Sequence, residues 1–282
     1  MKRIVFIFFL IFPHLGIFAQ EVNLRLQQNQ KGRLYIYWGW NRAWYSNSNI
    51  TFKGDNYNFT LKDVFAKDRQ SKFKPALYWN PATITIPQYN FRIGYFINSK
   101  YNISFGVDHM KYVMQQNQTV PIEGDINLKD SPYNNSYSNQ NETLTEDFLK
   151  FEHTDGLNYI HVALRRQDSF LKLKRLELSS VIGIESGILL PKTNTTLLGM
   201  ERYDEFHLSG YGFSSVFALN ISPWKGFFLQ PELKGGFLNL PDIRTTKSTS
   251  DKANQHFGFL QFNIVFGASI QLSKKPRTNS SL

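Results

Sequence analysis

A two-residue alternation of apolar and polar side chains is the feature of this sequence that most constrains its fold. Tyr89, Phe91 and Ile93, for example, alternate with Asn90 and Arg92. Successive side chains of a β-strand point to opposite faces, so this spacing predicts strands with one apolar and one polar face. The same pattern recurs at residues 34–41, 101–108, 159–165, 175–188, 210–221, 227–237 and 260–271.

The connections between these segments alternate in length. Short turns are predicted near residues 98–100, 167–172 and 222–226. Short turns on one side and long loops on the other are typical of outer-membrane barrels, which have an even number of strands. The sequence therefore predicts an all-β, closed antiparallel transmembrane β-barrel of about eight strands. Its long external loops are expected at residues 46–83, 115–156, 192–205 and 242–255.

The first long connection leaves the strand number open between eight and ten. Residues 50–53 and 59–61 have a strand-like composition and could pair as an additional hairpin. We favour eight strands, with this segment as a structured external loop or a strand extension. Residues 131–143, which are rich in Asn, Ser and Tyr, are expected to form a flexible surface.

Composition indicates which face of the strands meets lipid. Aromatic residues make up 16% of the chain and charged residues only 19%. Phe and Tyr on the apolar face suit bilayer contact and interfacial girdles, whereas Gly and Ser on the polar face suit a narrow interior. A soluble sandwich or lipocalin-like barrel, with the apolar face buried inside, is the alternative. The strands approach the ~9–11 residues of a tilted membrane crossing, which favours the membrane barrel.

The N-terminus has the features of a cleaved secretion signal in residues 1–19. Lys2 and Arg3 precede an unbroken apolar run over residues 4–12, and we expect cleavage after Ala19. The run is shorter than the ~20 apolar residues of a membrane-spanning helix. The predicted organisation is a signal peptide, a barrel and a polar C-terminal tail, at residues 1–19, 20–272 and 273–282.

The interior of a small barrel predicts a network of paired charges. An eight-stranded barrel has little interior room, so inward side chains fill it. Unpaired buried charges are costly, so we expect four basic and four acidic inward residues to pair and to close the lumen. The predicted lumen residues are Arg92, Asp108, Arg165, Arg175, Glu177, Glu185, Glu232 and Lys234.

Motifs for catalysis or metal binding do not stand out. The chain has no cysteine, which excludes disulfide scaffolds, cysteine zinc sites, iron–sulfur clusters and thiol nucleophiles. No Ser–His–acid order stands out, and no phosphate-binding glycine loop or HExxH spacing appears. His161, on the inward face near Glu185, could act as a general base, but a place in the polar network is favoured. We predict no catalytic residue, metal or cofactor.

The long connections differ in charge. Residues 46–83 contain six basic and three acidic side chains, whereas residues 115–156 contain two basic and eight acidic ones. The basic segment is expected to contact lipopolysaccharide phosphates and to dock on the acidic segment, with plain solvated surface as the alternative. Export argues against nucleic acid as a partner. The candidate lipopolysaccharide contacts are Lys53, Lys62, Lys67 and Arg69.

Several segments resemble the small outer-membrane β-barrel proteins of the Bacteroidota type, which are mostly uncharacterised. The resemblance covers most of the chain that follows the signal. It implies an outer-membrane location and carries no established activity. The segments that carry it are YWGWNR at 37–42, FKG at 52–54, DR at 68–69, FLQPELKGG at 228–236, LPDIR at 240–244 and LQFNIVFG at 260–267.

The favoured function is that of a non-enzymatic integral outer-membrane barrel with a structural or surface-interaction role. Its expected partners are outer-membrane lipids, lipopolysaccharide and the barrel-assembly machinery, and the sequence names no protein partner. The alternatives are a transport barrel for small or apolar solutes and an enzyme that modifies lipid A at the barrel rim.

Overall fold

The structure, a computed structural model, describes residues 29–80, 82–129 and 131–272 of the chain. The predicted signal peptide at 1–19 and the polar tail at 273–282 lie outside the described residues. The described residues form fourteen β-strands and one helical turn: β1 (Arg33–Tyr45), β2 (Ser48–Gly54), β3 (Tyr57–Val64), β4 (Ala66–Lys67), α1 (Pro75–Tyr78), β5 (Tyr89–Phe96), β6 (Tyr101–Met114), β7 (Thr119–Ile126), β8 (Asn135–Thr143), β9 (Leu149–Lys172), β10 (Glu177–Pro191), β11 (Asn194–Leu197), β12 (Gly210–Trp224), β13 (Phe227–Arg244) and β14 (Lys252–Gln271).

Eight strands close into an antiparallel ring in the order β1, β5, β6, β9, β10, β12, β13 and β14. The ring is complete because β14 pairs with β1, from Arg33 opposite Gln271 to Tyr45 opposite Phe259. Closure matters in hydrocarbon, where each unpaired backbone group costs several kcal/mol. The predicted closed barrel of eight strands is therefore confirmed.

The ring has an apolar outer face and a largely polar inner face. On β10, Ile182 and Ile184 are exposed, while Glu185 is buried inside the ring. A water-soluble barrel would bury the apolar set instead, so the soluble alternative does not apply. The exposed apolar belt includes Ile36, Ile93, Ile103, Phe105, Val162, Leu164, Ile182, Ile184, Phe213, Phe217, Leu233, Phe262 and Ile264.

The long connections fold into a second region, here called the lobe, which comprises β2, β3, β4, β7, β8, β11 and the adjoining ends of the ring strands. β2 pairs with β14, β3 with β2 and β7, and β8 with β7. The hairpin suggested at residues 50–53 and 59–61 is present, but it extends the sheet beyond the ring instead of adding strands to it. The expectation of flexibility over residues 131–143 is wrong for β8, because polar side chains do not prevent its backbone from pairing with β7.

The lobe has its own apolar core. Phe52 and Phe59 stack with ring centroids 5.2 Å apart, and Phe151 meets Phe52 edge-on at 5.7 Å. All three side chains are almost completely buried. The core continues into the ring through Leu157 and Leu189, whose inward side chains belong to the same cluster. The interior therefore changes from apolar to polar along the barrel axis.

Residues 68–80 and 82–87, here called the strap, lie against the outside of the ring. The Trp79 ring lies 5.1 Å from the Trp40 ring and 6.1 Å from Phe266, both on the outer face. The Lys111 Nζ fixes the other end by donating to the Ile86 carbonyl at 2.9 Å. Among residues 29–80, 82–129 and 131–272, no helix combines the length and apolar character that a membrane crossing requires.

Candidate functional site in the barrel interior

A cluster of seven polar and charged side chains, here called the lumen network, fills the ring beneath the lobe core. Alternation places each of its members inward, while the neighbours Ile93, Ile184 and Leu233 project from the outer belt. The network therefore lies at the depth of the apolar belt. Its members are Arg92, Asp108, His161, Arg165, Glu185, Glu232 and Lys234, and each is at most 4% exposed.

Glu185 is the centre of the network. Its Oε1 accepts hydrogen bonds from Arg92 Nη2 at 2.8 Å and from Arg165 Nη2 at 2.7 Å. Its Oε2 lies 2.7 Å from Lys234 Nζ and accepts a hydrogen bond from Ser214 Oγ at 3.1 Å. Three cations thus converge on one carboxylate, and removal of that carboxylate would leave them facing one another.

The other two carboxylates extend the network around the ring. Arg165 Nη1 donates to Glu232 Oε1 at 2.7 Å, and Lys234 Nζ forms an ion pair with Asp108. His161 lies between Asp108 and Glu185, with Nε2 3.4 Å from Asp108 Oδ2 and Nδ1 3.6 Å from Glu185 Oε2. Three cations therefore face three carboxylates, and a neutral His161 leaves the network without net charge.

Neutral hydrogen-bonding groups from the remaining strands complete the network. Tyr37 of β1 accepts from Arg92 Nε at 2.8 Å and donates to Glu232 at 3.1 Å. Asn263 of β14 donates to Glu232 Oε2 at 3.1 Å. All eight ring strands consequently contribute, with Ser214 on β12. The sequence alternation had placed Tyr37, Ser214 and Asn263 on the polar face, which was the only signal for their participation.

Two glycines make room for the large cations. A Cβ atom at Gly106 would lie 2.7 Å from His161 Cε1 and 3.1 Å from Arg92 Cζ. A Cβ atom at Gly183 would lie 2.6 Å from Arg165 Cγ. The small residues of the polar face are thus required by the bulk of the side chains opposite them.

Asp108, His161 and Glu185 also have the composition of a metal site. One ligand atom from each lies within 4.8 Å of the others. The ammonium group of Lys234 contacts both carboxylates, so it already supplies the positive charge that a metal ion would bring. The three side chains are also buried, which denies a substrate access to His161.

Arg175 and Glu177 do not belong to the lumen network. Arg175 is exposed in the turn between β9 and β10, and Glu177 is half-buried at the first position of β10. The turn predicted near residues 167–172 lies instead at residues 173–176, because β9 continues to Lys172. The backbone of β9 remains paired with β10 up to Lys172, whatever the polarity of its side chains. The turn that follows, with Arg175, therefore lies outside the barrel interior.

The interior is also closed toward the short turns. The Tyr35 ring lies 5.8 Å from Phe96 and 6.4 Å from Phe228, and these residues form a small buried aromatic cluster. The cavity between this cluster and Arg165 has a volume of about 40 Å³, which holds no more than a few water molecules. The barrel interior is thus filled by three layers along its axis, which are the lobe core, the lumen network and the aromatic cluster.

The four candidate lipopolysaccharide contacts are spread over several elements. Lys53 is exposed on β2, and Lys67 is exposed on β4. Lys62 forms an ion pair with Glu123, and Arg69 Nη2 lies 2.8 Å from Glu152. The structure therefore brings basic residues of the first long connection against acidic residues of the second.

His153 is a buried titratable group within the lobe. Its Nδ1 lies 2.9 Å from Thr193 Oγ1, and its ring packs edge-on against Phe151 at 5.1 Å. Burial lowers the pKa of His153 to about 3, so the side chain is neutral at physiological pH. It therefore acts as part of the lobe packing and not as an acid–base group.

Comparison with models of protein families gives no match to this chain, and comparison with curated proteins gives none either. Its fold is similar to those of several solved outer-membrane proteins. The attachment invasion locus protein Ail of Yersinia pestis, solved with the heparin analogue sucrose octasulfate, shares 9% identity. That alignment covers 85% of this chain and 99% of Ail, with a TM-score of 0.31.

Two further solved barrels show a comparable similarity. OprG from Pseudomonas aeruginosa shares 8% identity over 87% of this chain and 99% of OprG, with a TM-score of 0.38. Neisserial surface protein A shares 11% identity over 86% of this chain and 100% of its own, with a TM-score of 0.33. At TM-scores this low, the similarities assign neither a function nor a ligand to this chain.

Proposed function

We propose that this protein is a non-enzymatic integral outer-membrane barrel with a sealed interior, and that its lobe serves a structural or surface-interaction role. The observation that carries the proposal is the filling of the axis by three successive layers. A solute would have to displace an ion network in which each cation pairs with a carboxylate, together with two apolar clusters. Such a barrel holds the lobe at the membrane surface and offers no path through itself.

The proposed orientation follows from the two ends of the ring. Short turns of outer-membrane barrels face the periplasm, and long connections face outward. The lobe would then project from the cell, after export directed by a cleaved signal at residues 1–19 and assembly by the barrel machinery. The resemblance of several segments to Bacteroidota barrels supports an origin in that group.

Planar-bilayer recording tests the sealed interior against the transport alternative. We expect no steady channels from the wild-type protein, because three layers of side chains fill the axis and the cavity beside Arg165 is about 40 Å³. A porin inserted under the same conditions is the positive control. Protein insertion is checked separately by heat-modifiable gel migration. Sizeable, steady conductance from inserted wild-type protein would refute the sealed barrel and favour transport.

Contact with lipopolysaccharide is proposed for the strap and the strand that precedes it. Lys67, Lys72 and Lys74 are exposed there, next to the exposed Phe73 ring. The strap also packs on Trp40 of the outer wall, so its cations lie beside the surface proposed to meet the outer leaflet. Cations next to aromatic side chains suit a ligand with both phosphates and acyl chains. Lys62 is less suited, since it is paired with Glu123.

The triple substitution Lys67→Gln, Lys72→Gln and Lys74→Gln tests this contact. We expect lipopolysaccharide recovered with the purified protein to fall by more than tenfold, since three surface cations contribute about 1 kcal/mol each and about 1.4 kcal/mol corresponds to a factor of ten. Mass spectrometry of the retained glycolipid gives the measurement. The matched control replaces Lys129, Lys247 and Lys252, which are exposed elsewhere in the lobe. Equal retention by the triple variant and the wild type would contradict the proposal.

A further inference from the structure

The end of the ring that carries the short turns, here called the short-turn rim, is strongly basic. Only two acidic side chains, Asp168 and Glu177, accompany eight basic ones among the described residues. The basic residues are Lys31, Arg33, Lys100, Arg166, Lys172, Lys174, Arg175 and Lys225.

The lumen network and the long connections do not share this excess. The lumen network contains three cations and three carboxylates. The four long connections together contain thirteen basic and sixteen acidic residues. The positive charge of the described barrel is therefore concentrated at one end, although the formal net charge of the full sequence, +10, gives no sign of where it lies.

Local pairing with acidic side chains extends to only part of the rim. Asp168 pairs with Arg166 Nε at 2.6 Å and with Lys100 Nζ at 3.0 Å. By contrast, four exposed cations form no salt bridge with any described residue. These four are Lys172, Lys174, Arg175 and Lys225.

The four unpaired cations line one cleft. The cleft has a volume of about 620 Å³ and lies between the β9–β10 turn and the β12–β13 turn. Arg33 and Trp224 also line it. The Trp224 ring is 62% exposed and stacks on Phe227 at 5.1 Å, which places an aromatic surface beside the cations.

The rim is continuous with the apolar belt. Tyr101 and Ile97 are exposed at the ends of β6 and β5, and the Arg166 guanidinium lies 6.0 Å from the centre of the Tyr101 ring. Aromatic side chains with adjacent cations mark the level of lipid headgroups. A ligand in the cleft would therefore sit where the belt meets water, at the membrane surface and not beyond it.

We propose that the short-turn rim binds the phosphate headgroups of anionic phospholipids in the periplasmic leaflet. The cations of the cleft supply charge for the phosphate, and Trp224 and Phe227 lie against the adjoining glycerol and acyl region. An anionic polymer of the periplasm would match the charge, but it would not use the aromatic surface or the position beside the belt. This inference rests on the proposed membrane insertion.

Lipid selectivity in nanodiscs of phosphatidylcholine with one-fifth phosphatidylglycerol tests the inference. We expect the wild-type protein to enrich phosphatidylglycerol several-fold in its first lipid shell at low salt, measured with spin-labelled lipids. The enrichment should decline at 0.5 M NaCl, since salt screens exposed charges. The variant Lys172→Gln, Lys174→Gln, Arg175→Gln and Lys225→Gln should lose most of it. The control, with the exposed lobe residues Lys129, Arg202, Lys247 and Lys252 changed to Gln at the other end, should retain it.

Several outcomes would overturn the inference. One is equal association of both lipids with inserted wild-type protein, and another is undiminished enrichment by the quadruple variant. Loss of binding to purified peptidoglycan in that variant, with lipid enrichment intact, would assign the rim to a polymer instead. Heat-modifiable migration on a gel verifies that each variant is folded. If the quadruple variant does not fold, the double variant Lys174→Gln with Arg175→Gln, which changes only the β9–β10 turn, tests the same loss of phosphatidylglycerol enrichment. Failure of the wild type to enter discs of either composition would instead refute the proposed membrane function.

Discussion

Replacing Glu185 with glutamine is expected to destabilise the barrel by about 3–5 kcal/mol, as the loss of one partner from a buried ion network does. Arg92, Arg165 and Lys234 all contact this carboxylate, and none can reach water. The variant would leave three buried cations against two carboxylates. The measurement is the temperature at which the compact form converts to the unfolded form on a gel.

Charge balance offers a specific control for this effect. The double variant Glu185→Gln with Lys234→Met restores two cations against two carboxylates, and we expect it to recover part of the lost stability. Glu177→Gln at the rim should change the free energy of unfolding by no more than about 0.5 kcal/mol, as surface substitutions generally do. Equal stability of Glu185→Gln and the wild type would rule out the network as a determinant of stability.

Replacing Phe59 with alanine is expected to unfold the lobe while the ring remains intact. Phe59 is 1% exposed and packs against Phe52 and Phe148, so its removal leaves a cavity that costs about 3–5 kcal/mol. Phe59 lies on β3, which pairs with β2 and β7, so the backbone ladder of the ring strands does not include it. Hydrogen exchange should accelerate in β2, β3 and β7 and remain slow in β10 and β12.

The matched control for the lobe is Phe73→Ala. This ring is 68% exposed on the strap, so its loss should leave exchange throughout the lobe unchanged. Loss of heat-modifiable migration in Phe59→Ala would show that the ring depends on the lobe and would contradict this prediction.

Local alternation was sufficient to predict much of the interior. Arg92, Glu185 and Glu232 were assigned inward from their spacing, and the structure buries all three in the ring. The same reasoning failed for Arg175, because the position of a turn depends on how far two strands remain paired. At the solvent-exposed rim, the side chains are polar both in the strand and in the turn, so their sequence does not indicate where the strand ends.

The lobe was harder to foresee. Ile50 and Phe59 had suggested a hairpin, but the polar sequence of β8 resembled a flexible loop. Strands form in the lobe because β14 extends beyond the ring and its backbone pairs with β2. β2 then pairs with β3, and β3 pairs with β7. Such pairing is a property of the assembled sheet and leaves little trace in any single segment.

The sequence by itself determined which face of each ring strand meets lipid, since the strand backbone fixes a two-residue period locally. Only the tertiary structure decided which charges meet. Arg92 and Glu185 are 93 residues apart and lie on strands that are not neighbours in the ring, yet their side chains join across the interior. That contact exists because closing eight strands into a narrow ring brings every inward side chain to a common axis.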